Sequence, residues 1–250
     1  MQDFHKRRKI FHYLRNTGTD IPFLQETHSD KKDESLWKTQ WGELAFFSSF
    51  SSNSRGVGIL IRNSVSFKLL SVFSDPDGRF LILKGILNDL HVTLVNIYAP
   101  NNDDPDFLLR VFAEIDKLDS PILIVAGDFN SVIGPLDYQG TRQQHSNKNS
   151  SEMLSVLIEE YGLVDVWRHF HPNCRQYTRH QKIPKVLSRL DFILISTNFL
   201  DNCVSSKILP GIQSDHSIVQ LTFNDNQPKR GKSFWKMNCH YLHHDYNQGF

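Results

Sequence analysis

At 250 residues and 29.0 kDa, the chain is long enough for one large domain with a sizeable core, and 39% hydrophobic with 22% charged residues excludes disorder throughout. A formal net charge of +1 supplies no global basic field, so affinity for nucleic acid would have to come from a local patch. Cys174, Cys203 and Cys239 lack CxxC spacing, which argues against a disulfide framework and for a reducing, intracellular setting.

No stretch approaches the roughly 20 apolar residues of a membrane span. The basic start, residues 1–9, is not followed by the apolar run of a signal peptide. His169, His171 and Cys174 lack a fourth ligand at zinc spacing and read as ordinary structural or exposed residues.

In chain order, residues 4–15 carry Phe4, Ile10, Phe11 and Leu14 at loose helical spacing among basic residues and predict a surface helix. A short apolar strand over 21–24 follows, with Glu26 at its end. Residues 44–47, 57–61, 65–73, 80–86 and 92–97 read as strands of an antiparallel meander, separated by turn signals at Asn53, Gly56, Asn63 and Asp77-Gly78. A helix over 106–118 rests on Phe107, Leu108, Val111, Phe112, Ile115 and Leu118, and the unbroken apolar run 122–126 predicts a central strand ending at Gly127-Asp128. Residues 131–151 are polar and read as a mobile loop. Helices are expected over 153–161 and 164–170, and strands over 186–195, 203–209 and 218–223. No internal repeat stands out. The alternation predicts an α/β fold of two packed sheets covered by helices.

Polar clusters end or follow these apolar stretches in the order Leu24-Gln25-Glu26-Thr27, Asn96-Ile97-Tyr98-Ala99-Pro100-Asn101, Gly127-Asp128-Phe129-Asn130, Arg189-Leu190-Asp191-Phe192 and Ser214-Asp215-His216-Ser217. A strand that ends in such a group pushes it out of the core at a sheet edge, where several can converge. Hard oxygen ligands with one imidazole suit Mg²⁺ and phosphodiester hydrolysis. In that chemistry Glu26 binds the metal, Asp128 orients or deprotonates water, and Asn130 holds phosphate or water. His216, kept in place by Asp191, donates to the phosphate, and Tyr98 assists the leaving group or phosphate. Taken singly, each cluster has an ordinary structural use: Gly-Asp-x-Asn makes a β-turn, Glu26-Thr27 can cap a helix, and Ser-Asp-His can be a polar loop.

Taken together and in order, the clusters resemble the motifs of the endonuclease/exonuclease/phosphatase superfamily across residues 4–223. Within it they are most similar to the apurinic-type endonuclease domain of LINE-type, non-LTR retrotransposon polyproteins. The resemblance implies a four-layered α/β sandwich of mostly antiparallel sheets, with Mg²⁺ as cofactor and Mn²⁺ as a possible substitute. It implies Glu26 and Asp215 at the metal, Tyr98 and Asn130 at the phosphate, Asp128 as the water-activating carboxylate and Asp191 as the partner of His216. Asn101 matches a phosphate-side Asn, and Thr178 a DNA-facing hairpin residue of the retroelement branch.

Residues 231–238 resemble the segment that leads toward reverse transcriptase in such polyproteins, so 1–223 are expected to form the nuclease domain and 224–250 a linker. One departure stands out. The family opens with a strand ending in an Asn-x-x-Gly-Leu type motif, whereas this sequence opens on the helix that follows, so an incomplete sheet and reduced or absent activity are expected.

Residues 168–189 contain Arg168, Arg175, Arg179, Lys182, Lys185 and Arg189 with no acid, a local charge of +6 suited to phosphate tracking. Of these, Arg175, Arg179, Lys182 and Arg189 are expected to touch DNA. The expected activity is a Mg²⁺-dependent nick in one strand of double-stranded DNA, by a monomer that is nuclear if it serves a retroelement. The alternatives are an abasic-site repair nuclease, a phosphatase of the same fold acting on inositol lipids or sphingomyelin, and an inactive DNA-binding relic.

Overall fold

A computed structural model describes residues 3–140, 147–182, 185–212 and 214–224. Asp3 caps the first helix, α1 (Phe4–Asn16), by accepting from the Lys6 amide at 2.6 Å, and its apolar side buries Phe11 and Leu14. The short strand β1 (Phe23–Leu24) follows, then α2 (Glu34–Trp41), which stops at Gly42 in the left-handed region (φ 79°). The strands β2 (Leu44–Ser48), β3 (Val57–Ile61), β4 (Phe67–Ser74), β5 (Phe80–Leu87) and β6 (Leu90–Tyr98) form the meander. The helix α3 (Pro105–Ile115) starts with Asp104 as cap and proline in its first turn, and crosses over to β7 (Ile122–Asp128). Beyond it come β8 (Tyr138–Gly140), α4 (Lys148–Glu160), β9 (Leu163–Asp165), α5 (Val166–Phe170), β10 (Arg179–Gln181), β11 (Val186–Ser188), β12 (Asp191–Ser196), β13 (Cys203–Leu209) and β14 (Ile218–Phe223).

One sheet has six strands in the order β4-β5-β6-β7-β12-β9. All its pairings are antiparallel except β6–β7, the two strands joined through α3. Facing it are β1-β3-β2 and β13-β14. Val57, Ile59 and Ile61 pack across the space between the sheets onto Leu81, Leu83, Leu94 and Ile124. The other face of the six-stranded sheet is covered by Phe107, Val111 and Phe112 of α3 with Leu154 and Leu157 of α4. On the far side, Phe11, Trp37 and Trp41 of α1 and α2 pack on Ala45, Phe47 and Leu60. The result is four layers, helix, sheet, sheet, helix, as the sequence led one to expect.

Among the described residues β1 pairs only with β3, and β14 only with β13. A cavity of about 1070 Å³ is lined by α1, β1 and β14 and extends to Glu26, Asp128 and His216. A further three-stranded sheet, β10-β11-β8, shares no strand with the others.

The elements depart from the sequence reading in several places, the unpredicted strand β10 among them. Residues 131–151 are not all loop: a 3-10 turn (Pro135–Asp137), β8 and the first turn of α4 lie inside that stretch, because Asp137 is buried and ion-paired there. The single strand expected over 186–195 is two, broken at Arg189-Leu190, where the chain leaves the small sheet for the large one. The helix expected over 164–170 begins only at Val166, after β9. The helix α2 went unpredicted; its two tryptophans are its only buried residues, too few for a full apolar stripe. The segment 231–238 lies outside the described residues.

Candidate active site

Strand register builds the first row of the site. β6 and β7 are parallel with Tyr98 opposite Asp128, and β12 is antiparallel to β7 with Asp191 opposite Asp128. One phenol and two carboxylates thus stand on adjacent strands at one end of the six-stranded sheet. The facing sheet adds Glu26, just past β1, whose Oε1 accepts from the Tyr98 hydroxyl at 2.6 Å. That bond reaches from one sheet to the other.

Asn96 fixes the distance between the sheets at this end. Fully buried, it donates to the carbonyls of Leu24 (2.9 Å) and Gly58 (2.8 Å) and accepts from the Gln25 amide (2.6 Å). Beyond it the chain turns sharply. Glu26 and His28 both have positive φ, 50° and 52°, a strained geometry held by backbone bonds from Thr27 to Gly56 and from His28 to Arg55. Strain of this kind concentrates at functional sites and is invisible in residue type.

The third contribution comes from the segment before β14. His216 pairs with Arg179 by an isolated antiparallel bridge, and its Nδ1 lies 2.9 Å from Asp191 Oδ2. Burial alone would depress the imidazole pKa, but the Asp191 hydrogen bond and charge outweigh it and raise the value to about 9. His216 is therefore cationic at neutral pH, with Nδ1 as the donor. Asp128 is 6% exposed. Desolvation and then the neighbouring Asp191 charge raise its pKa to about 7, against the opposing pull of His216. The Tyr98 hydroxyl is pushed upward too, by burial and then by Glu26, and stays protonated.

Asn130 completes the centre in a way the sequence did not predict. It sits at φ 47°, a conformation that Asn tolerates, with its main-chain N–H on Asp128 Oδ1 at 2.9 Å. Its side-chain amide donates to Ala99 O and to Asn101 Oδ1, both at 2.9 Å. With both amide hydrogens engaged, Asn130 braces Asp128 and Asn101 rather than donating to a phosphate; its carbonyl oxygen is the group left to orient water. Buried Asn147, which no motif flagged, donates to Asn130 O (2.7 Å) and Asn101 O (3.2 Å). Exposed Asn101 is thus held at the rim.

Two of the residues expected at DNA are elsewhere. Arg189 is 1% exposed and pairs with Asp137 (2.8 Å) and Asp165 (2.6 Å), while Arg168 shares Asp137 at 2.5 Å. A guanidinium buried against two carboxylates cannot track phosphates; its charge is spent inside the fold. Thr178 is fully buried, and its hydroxyl accepts from backbone N–H groups rather than facing outward. Arg175 and Lys182 are exposed and Arg179 half-buried, so these three remain available.

Ligand atoms of Asp128, Asp191 and His216 lie within 4.8 Å of one another, close enough to hold a divalent ion. Within that trio, however, the Asp191–His216 hydrogen bond occupies one oxygen and one nitrogen, and a protonated imidazole offers no lone pair at Nδ1. The donor set that fits Mg²⁺ without breaking that bond is the oxygen-only one, with exposed Glu26 and Asp215 on the same cavity.

A four-layered sandwich with carboxylates, amides and a His–Asp pair gathered at the ends of its central strands defines a hydrolase-type scaffold. The chain belongs to the endonuclease/exonuclease/phosphatase family, whose pattern matches residues 1–216. It is 31% identical over 235 residues to the Transposon TX1 uncharacterized 149 kDa protein of Xenopus laevis, spanning 92% of this chain but only 18% of that protein's length. Among solved structures, an AP endonuclease from Archaeoglobus fulgidus superposes with a TM-score of 0.71 at 23% identity, covering 89% of this chain and 96% of that one. A 3'-5' exonuclease from Neisseria meningitidis does so with a TM-score of 0.70 at 22% identity and the same coverage. These structural likenesses speak to the fold.

Proposed function

We propose that the chain is a Mg²⁺-dependent DNA endonuclease that nicks one strand of a duplex, as in the target-nicking domain of a non-LTR retroelement. The observation that carries this reading is the convergence of Glu26–Tyr98, Asp128 and Asp191–His216 on one cavity, from strand ends far apart in sequence. The similarity to a transposon protein supports the retroelement assignment. The matched part of a longer protein of that kind would stand beside a reverse transcriptase and act in the nucleus. Residues 1–223 would be the nuclease unit, with β14 ending at Phe223 in support and 224–250 as linker.

Glu26 and Asp215 would hold the metal, which supplies positive charge to the scissile phosphate. Asp128, with a pKa near 7, accepts a proton from the attacking water, and the side-chain carbonyl of Asn130 orients that water. His216 remains cationic and hydrogen-bonds a non-bridging phosphate oxygen, held by Asp191. The Tyr98 hydroxyl keeps Glu26 aimed. Duplex binding falls to Arg175, Arg179 and Lys182, of which Arg179 lines the cavity.

The test is nicking of supercoiled plasmid with Mg²⁺, by the chain itself and by a version given one additional N-terminal strand. The one-sided pairing of β1 and β14 supports the extended version as the more active. His216→Ala should lower the rate by about 10²-fold or more, the usual contribution of such a group. Equal nicking by His216→Ala, or none by the extended protein, would reject the assignment. Parallel reactions on a single abasic-site duplex separate a repair nuclease from one that cuts intact DNA.

A further inference from the structure

We infer that Thr178 is a positioning residue: it holds Asp191 and His216 at their working separation by gripping the chain on both sides of the pair. The inference rests on the nuclease reading above for its activity readout, but its geometry stands independently. Thr178 is fully buried. Its Oγ1 accepts from the Leu190 N–H at 3.0 Å and from the Asp191 N–H at 3.2 Å, at the start of β12. Its carbonyl accepts from the Ser217 N–H at 2.6 Å, and the next residue, Arg179, makes the bridge to His216. Its own N–H donates to Ser188 O at 3.0 Å, at the end of β11. One residue therefore joins two segments that lie apart in sequence, residues 188–191 and 216–217, and these two carry the Asp191–His216 contact.

The side-chain requirement follows from hydrogen-bond chemistry. A hydroxyl oxygen has two lone pairs and can accept from two amides at once, which a threonine methyl or any aliphatic replacement cannot. Leu190-Asp191 is also the place where the chain passes from the small sheet to the large one, so its backbone depends on this side chain for two acceptors. If the hydroxyl is removed, Asp191 is free to shift relative to His216 while the backbone bond from Ser217 still holds the other partner.

Thr178→Val keeps the shape and removes both acceptors; Thr178→Ser keeps both and removes only the methyl. In the plasmid assay, kcat of Thr178→Val should fall about 10- to 100-fold, the usual cost of a misplaced group. KM should stay within about twofold, because Thr178 itself is buried and touches no substrate and Arg175, Arg179 and Lys182 keep the duplex. Thr178→Ser should restore most of kcat. The second readout is the downfield imidazole N–H resonance of His216, identified by its loss in His216→Gln. It should disappear or move in Thr178→Val and persist in Thr178→Ser.

An unchanged resonance and unchanged kcat in Thr178→Val overturn the inference, as does equal damage from valine and serine. If no form of the protein cuts DNA, the nuclease reading fails and the resonance alone decides the role of Thr178. Should the valine variant fail to fold, Thr178→Ala removes the same acceptors without steric conflict and is read against the same two outcomes.

Discussion

His216 and Asp128 flank Asp191, and both titrate above their ordinary ranges. The His216 pKa of about 9 exceeds the unfolded value of roughly 6.5, so its contribution to stability is complete below about 6.5 and lost as pH rises through 9. Asp128, at about 7 against roughly 3.9 unfolded, has the same sign: its contribution is present in acid and is lost as the buried carboxylate ionises through 7. Stability should therefore decline from about pH 4 to 9, first through Asp128 and then through His216, as read from urea midpoints across that range. Asp191→Asn should flatten the upper part of the decline, and a wild-type profile that is level throughout would contradict the charge arrangement. Tyr98→Phe removes one hydrogen bond to Glu26 and should raise the Mg²⁺ concentration for half-maximal activity roughly tenfold, the usual cost of losing a ligand's orienting partner. The identities of the central groups were legible at this scale, because carboxylates, an imidazole and amides at strand ends have few other uses in combination. The burial of Thr178 and Arg189 was not, since threonine and arginine serve surfaces and interiors alike and only their partners decide.

Elements explain how those side chains are held. At Gly127, where β7 runs beside β6, φ is 140° and an added Cβ would stand 2.0 Å from the Ile97 carbonyl oxygen. The backbone there cannot retreat from both neighbouring strands. Gly127→Ala should prevent folding or leave a protein without a cooperative thermal transition, measured by circular dichroism; a native-like melt would refute the close approach. The small sheet is anchored differently. Asp137 accepts from both Arg168 and Arg189 Nε, and Asp165 accepts from Arg189 Nη2, so two cations and two carboxylates neutralise one another where β8 begins and β11 ends. Removing one member leaves buried charge uncompensated, and Asp137→Ala should cost about 3–5 kcal/mol in urea unfolding. Strands β2, β3, β5, β6, β13 and β14 and helices α1 and α3 followed from apolar periodicity within a few residues. The start of α4 did not, because its first turn is polar and is fixed by Asp103, which accepts from the main-chain N–H of both Asn149 and Ser150.

At the scale of the whole molecule, two sheets present one shared end to solvent, and of the cations left after internal pairing Arg179 lines the cavity there. With Arg168 and Arg189 consumed by Asp137 and Asp165, Arg175, Arg179, Lys182 and Lys185 remain of the original basic run. If all of them contact phosphates, the slope of log affinity against log salt should lie near −3 to −4, at about −0.9 per contact. Fluorescence anisotropy with a labelled duplex measures it. A slope near zero would remove this patch from the interface, and one beyond about −5 would mean that the internally paired arginines come out to bind.

By itself the sequence determined the alternation of strands and helices, the order of the polar clusters, and the kind of chemistry they suit. Those are local properties: periodicity decides which face of an element is apolar, and residue type decides what a side chain can donate, accept or ligate. Only the tertiary structure decided which groups meet. Tyr98, Asp128 and Asp191 stand in a row because of the β6–β7–β12 register, and Glu26 reaches Tyr98 because Asn96 pins the second sheet above the first. Contacts between residues so far apart in sequence depend on register and layer closure, which no single segment encodes. The same closure turned Arg189 inward to Asp137 and Asp165 and placed Thr178 against Asp191, because a side chain's role is set by what packs over it.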